Sequence, residues 1–438
     1  MSGRSPFVPL PRLSRLPRPR RVRVRAATLR ALGATAVSVS VLAGCGVLPG
    51  DAQGSSDITV MTWAPVGTNA TNMPGMPAMA KAYARWADSN GGLAGHRLDV
   101  LTCNERNTPA GAAACAREAV AKKVDAVVGS YSQWGQQFMA PLEAASIPYI
   151  GGFGLSTQEF TSYRSYPVNG GQATLLAGNG QQLADSDCAH TALVRPDTSA
   201  GDTLAQLLDT GLATRHEHRA TDVRAPEDAT GYAQEAGQAR DDAGDGGCVT
   251  AQLGDHTSTF FDSFRRLSDD GRDVRVSSVV GSVDQPLIDA SGGADGLFEN
   301  AIVTGWYPDS ADPAWNAMKK VINKEAFEDD SIDADNAGVQ TTWIAYTALA
   351  QIVSSVKGGK VDSGSIIDAL DHGATVTTGG LTPPLRWRYQ DMLGAPGFPR
   401  IVNPDVTYQV VRDGRLVAQK KGFVNVGRTL VGSNLPPQ

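Results

Sequence analysis

The stretch VDAVVGSYSQW, residues 124–134, decides the fold. Val124 to Val128 is a short apolar run of the kind buried on both faces of a parallel sheet. Gly129 ends it, and Ser130, Tyr131, Ser132 and Trp134 form a polar and aromatic loop before a helical pattern over about 136–145. The unit then repeats. Ile147–Ile150 reads as the next strand and Gly151-Gly152-Phe153-Gly154 as a strand-to-helix turn, and Leu155-Ser156-Thr157 leads into Gln158-Glu159-Phe160. Strands joined through helices by short loops make a parallel, doubly wound sheet.

The same alternation extends outward in both directions. Upstream, Ile58–Trp63 is a first strand, and 78–89 is an amphipathic helix stopped by Asn90-Gly91-Gly92, residues that tolerate a left-handed helix end. A second strand at 96–102 and a second helix at about 110–122 follow. Downstream, strand patterns at 188–194, 248–254, 275–280 and 301–305 alternate with helical ones at 172–184, 201–213, 228–243, 257–268, 312–324 and 336–355. The run VTYQVVRDGRLVA, residues 406–418, is a hairpin turning at Asp413-Gly414. The chain of 438 residues exceeds what one core holds. The expected fold class is therefore α/β, with two doubly wound parallel-sheet lobes. Such sheets bind ligands at the carboxyl ends of their strands, so two facing lobes enclose a cleft.

Charge and cysteine usage indicate the compartment. Residues 1–44 hold nine Arg and no acid; removing those nine positive charges takes the net charge from −6 to −15. So acidic a body argues against nucleic acid, which is bound chiefly through Lys and Arg. Ala31–Gly44 is a short run of small and apolar residues, too short to span a bilayer and matching a signal-peptide core. It ends in Leu42-Ala43-Gly44-Cys45, which resembles the bacterial lipobox, and this marks Cys45 for lipidation; a buried Cys behind an ordinary signal peptide is the alternative. Residues 46–56 read as a tether, with folding from Asp57. Four further cysteines in an exported chain suggest two disulfides. Cys103 ends a strand run and Cys115 lies in the next helical run, while Cys188 and Cys248 each open a strand run. This favours 103–115 and 188–248 over the other pairings, with four free thiols as the alternative.

Signals for catalysis are weak. The sequence contains no GxSxG, Walker loop, HExxH or EF-hand pattern. His216-Glu217-His218 lacks a third metal ligand, and Asp241-Asp242 and Asp269-Asp270 read as exposed caps. No cofactor and no metal are expected. The two loops at equivalent strand ends are the better site. Ser130, Ser132, Ser156 and Thr157 offer hydroxyls beside free backbone N–H groups, and Tyr131 and Trp134 offer flat apolar walls. Helix capping is the competing role for Thr157.

At these residues the chain resembles the type I periplasmic solute-binding proteins of ABC transporters, branched-chain amino acid group. The resemblance is carried by Ala87–Leu98 (ADSNGGLAGHRL), Asn104–Pro109, VDAVVGSYS, SIPYIGGFGLS, Ala301–Thr304 and the helix bearing Tyr346. It implies two discontinuous lobes joined by a three-strand hinge: 57–168 and 304–384 in the first lobe, 169–303 and 385–438 in the second. It also implies no enzyme activity, a ligand carboxylate held by Ser130, Ser132, Ser156 and Thr157, and delivery of a small solute to a membrane permease. The expected state is a monomer, anchored through Cys45 on the outer face of the cytoplasmic membrane. Two positions depart from the group's pattern. A Tyr-Gly pair is replaced by Ala200-Gly201, and the acid that pairs a ligand ammonium is missing from Val280–Val283. Asp255 or Asp284 are the candidate substitutes, and a carboxylate, amide, urea-like or aromatic ligand fits as well. The competing functional classes are a ligand sensor coupled to a membrane receptor and a secreted hydrolase.

Overall fold

The computed structural model describes residues 57–68, 71–215, 218–226, 229–267, 271–358 and 360–432. The signal segment, Cys45, the tether, His216, Glu217, Asp269 and Asp270 lie outside the described residues.

The first sheet holds β1 (Ile58–Ala64), β2 (Leu98–Asn104), β3 (Ala126–Val128), β4 (Tyr149–Ile150) and β5 (Ser165–Tyr166), all parallel in the order β2-β1-β3-β4-β5. The second holds β6 (Thr191–Pro196), β7 (Thr221–Ala225), β8 (Cys248–Ala251), β9 (Arg275–Val279) and β10 (Ile302–Gly305), parallel in the order β7-β6-β8-β9-β10. Antiparallel β11 (Asp405–Arg412) and β12 (Arg415–Ala418) extend it beside β10, and β13 (Val424–Asn425) pairs with β11. Both lobes thus repeat one winding. The strand order reverses direction between β1 and β3 and again between β6 and β8, the points where such sheets open a crevice.

Two glycines explain the deciding stretch. Gly129 (φ +58°) and Gly151 (φ +62°) end β3 and β4 in the left-handed region, which a glycine adopts without steric cost. Both also face the long helix Ala337–Ser355, where a Cβ on Gly129 would stand 3.0 Å from Thr342 and one on Gly151 2.4 Å from Ala345. The Thr342 hydroxyl donates to the Gly129 carbonyl at 3.1 Å, fixing that approach. On the other face of the first sheet, Trp63 packs edge-on against Phe138 at 5.4 Å, and Phe138 stacks on Tyr149 at 5.0 Å. The helix Gly75–Ser89 joins the Ala337–Ser355 helix through Tyr83, Trp86, Trp343 and Tyr346.

The cysteines pair as 103–115, tying β2 to the helix Pro109–Lys122, and as 188–248. Cys188 precedes its strand by three residues, because β6 starts at Thr191, which registers with Cys248.

The chain passes between lobes three times, and side chains lace the passages together. Trp387 donates to the Pro167 carbonyl at 2.8 Å, Asn403 to that of Val168 at 3.1 Å and Trp306 to that of Gly171 at 3.0 Å. Asn169 donates to the Tyr307 hydroxyl at 3.1 Å. Residues 385–400 stay with the first lobe, since Trp387 packs against Tyr166 and Phe398 against Phe160. The last passage therefore falls near Ile401–Pro404.

Candidate functional site

A cavity of about 220 Å³ lies between the two sheets, reached by the loop that leaves the carboxyl end of each of β1–β4 and β6–β10. The first lobe contributes Thr71 and Met73 after β1, Asn107 after β2, Tyr131 and Gln133 after β3, and Phe153 and Leu155 after β4. The second contributes Pro196, Tyr232, Gln252 to Gly254 with His256, and Val279 to Ser282. Trp306 closes the hinge side. The cavity sits where both windings reverse and meet.

Its walls are aromatic. Phe153 lies 5.1 Å from both Tyr131 and Trp306, ring centre to ring centre. The polar ends of two neighbours are committed elsewhere: the Trp306 indole N–H to Gly171, and the Tyr232 hydroxyl to the Pro226 carbonyl at 2.9 Å. Gln133 donates to Asn107 at 2.8 Å, so these two carboxamides satisfy each other in part.

The expected carboxylate-binding loops each already hold an acid of the chain itself. The buried Glu159 accepts from the backbone N–H groups of Gly154, Leu155 and Ser156 at 3.0, 3.1 and 3.0 Å and from the Ser156 hydroxyl at 3.1 Å. The buried Glu105 accepts from the Ser132 hydroxyl at 3.1 Å and from the Asn107 N–H at 3.0 Å. Burial pushes both carboxyls up to about 7, with these donors pulling the other way. Ser130 is fully buried, its hydroxyl accepting from the Trp63 N–H at 3.1 Å. Ser130 and Ser132 therefore work inside the first lobe, and neither they nor Ser156 line the cavity. Of the residues expected from sequence, Tyr131 lines the cavity itself, while Trp134, Ser156 and Thr157 line a larger adjoining space of about 760 Å³. The side chain of Asp255 lies outside the described residues, although its neighbours Gly254 and His256 line the cavity. Asp284 is spent as a helix cap, accepting from the Leu287 N–H at 3.1 Å. Tyr307 is held by Asn169 and Thr341 inside the hinge.

Sequence reading missed Gln252, Tyr232 and Trp306. Gln252 was hidden because 248–254 reads as one strand. In the structure β8 stops at Ala251, which puts a polar side chain at a strand's carboxyl end. Among the described residues no cluster of His, Cys, Asp and Glu could hold a metal ion, and no helix is long and apolar enough to cross a membrane.

Residues 60–392 match the family described as Periplasmic binding protein, and the chain belongs to that family. Its two lobes follow the type I architecture. No curated protein matches the sequence. Among solved structures, the fold is shared with a possible leucine/isoleucine/valine-binding protein from Rhodopirellula baltica SH 1, with TM-score 0.69 at 13% identity over 84% of this chain and 97% of that one. A solute-binding protein of an ABC transporter from Rhodopseudomonas palustris HaA2, in complex with p-hydroxybenzoic acid, gives 0.68 at 16% over 84% and 97%. A fatty acid ABC transporter substrate-binding protein from Thermomonospora curvata gives 0.65 at 12% over 87% and 95%.

Proposed function

We propose that the protein is the substrate-binding subunit of an ABC importer, tethered by a lipid on Cys45 to the outer face of the cytoplasmic membrane. It captures a small organic solute between its lobes, closes about the laced hinge and presents the solute to the permease. The observation that carries this reading is the cavity itself, walled by strand-end loops from both lobes, so that a bound molecule bridges them and favours closure. Solved relatives in complex with p-hydroxybenzoic acid or named for fatty acids support a family cavity that changes its ligand readily. Free amino acids are a poor fit, because Glu159 and Glu105 already engage the donors that a ligand carboxylate would need. The protein acts as a monomer and performs no chemistry on the solute.

Thermal unfolding of the purified chain against a library of small solutes tests the binding role. A ligand at about 100 times its Kd adds ~2.7 kcal/mol of stability. No stabilisation by any solute would overturn the role. Cys45→Ala tests the anchor: the variant should leave the membrane fraction and keep its ligand, and a variant that stays on the membrane would refute lipidation there.

A further inference from the structure

We infer that the cavity is built for an uncharged solute of one substituted ring that donates an N–H or O–H hydrogen bond to Gln252. This rests on the binding role just proposed and names the ligand class. Gln252 is 8% exposed and lines the cavity, yet its Oε1 accepts no hydrogen bond among the described residues. Its backbone N–H is tied to the Val194 carbonyl at 2.9 Å, which pins the residue at the end of β8. A buried acceptor left unmade is costly, and a ligand donor met by a turn of the Gln252 amide toward the cavity relieves that cost.

The surroundings select the rest of the molecule. An apolar cavity of ~150 Å³ takes a benzene ring, so about 220 Å³ takes a ring with one or two substituents. Phe153, Tyr131 and Trp306 supply the faces against which a ring packs. Among the lining side chains that are described, none is Asp, Glu, Lys or Arg and His256 is the one titratable group besides the tyrosines, so a ligand charge would meet no permanently charged partner. Glu159 holds the donors of the 154–156 turn and Glu105 holds the Ser132 hydroxyl, so the groups expected to seat an anion are engaged within the chain.

Calorimetric titration of the purified full chain with p-cresol, benzamide, toluene, benzoate and benzylamine tests the inference, beside a panel of amino acids and aliphatic amides. p-Cresol and benzamide should bind, toluene about tenfold or more weaker, benzoate and benzylamine weaker still. Gln252→Leu should fold at least as stably as the native chain and should erase the preference for p-cresol over toluene. Survival of that preference in Gln252→Leu would overturn the assignment. So would benzoate binding more tightly than benzamide, or benzylamine binding that disappears in Asp255→Asn. Binding confined to amino acids or aliphatic amides would overturn the ring class and leave the binding role standing. Binding by nothing in either panel would overturn both.

Discussion

Replacing Glu159 with Gln should change how the stability of the protein depends on pH. Glu159 is 2% exposed, and burial raises its carboxyl from 4.5 to about 7 in the folded chain. The folded state therefore holds this proton more tightly than the unfolded state does. The resulting stabilisation is complete below about pH 4.5 and is lost as pH rises through 7. The gap between the two values corresponds to about 3 kcal/mol. On a chain of this length that is about 4 °C in melting temperature. Gln keeps the shape and cannot titrate. Its amide places an N–H where Gly154 now donates, a fixed cost of ~1–3 kcal/mol at every pH. Urea unfolding of both proteins at pH 5, 6, 7 and 8 measures the difference. The native chain should lose about 2–3 kcal/mol more than Glu159→Gln between pH 5 and 8, and Glu105, also raised to about 7, should give the same residual slope in both. Parallel curves would refute the reasoning, because they would mean that four donors hold the anion outright despite its burial.

Loop-closure entropy predicts ~4 kcal/mol lost on Cys188→Ser with Cys248→Ser, whose loop spans 60 residues, against ~3 kcal/mol for Cys103→Ser with Cys115→Ser, whose loop spans 12; chemical denaturation of the two double variants should rank them so. Gly151→Ala should cost about 2–4 kcal/mol, since the residue sits at φ +62° with a new Cβ 2.4 Å from Ala345, and a neutral result by the same measurement would contradict the helix approach described above.

The winding was legible because apolar runs and turn glycines coincide. VDAVV with Gly129, and PYI with Gly151, carry both the burial and the left-handed exits that the helix Ala337–Ser355 demands. Elements with little apolar signal escaped. β7 reads TDVRA and buries only Val223 and Ala225, while β5 is two residues long. The helices Gln285–Ala290 and Ser363–Asp371 were too short for periodicity to stand out. At the site the limit was different in kind. A loop rich in Ser and N–H groups looks the same in sequence whether its donors await a ligand or serve a neighbour. Glu159 three residues beyond Ser156 is the one local clue, since that spacing lets a carboxylate fold back onto the loop. Glu105 gives no such clue, because it reaches Ser132 from 27 residues away.

Those two acids also divide the labour between the lobes. A donor-rich turn at the end of a buried parallel strand must be satisfied, by ligand, by water or by the chain. At the 154–156 turn the chain satisfies it, and beside that turn the first lobe offers an aromatic wall of Tyr131 and Phe153. The second lobe brings to the cavity Gln252, whose Oε1 has no partner among the described residues. A solute that packs on the first lobe and donates to the second gains its full contact only when the lobes are together. Its differential affinity for the closed form is what can drive closure. A solute that met all of its partners on one lobe would bind without shifting the hinge.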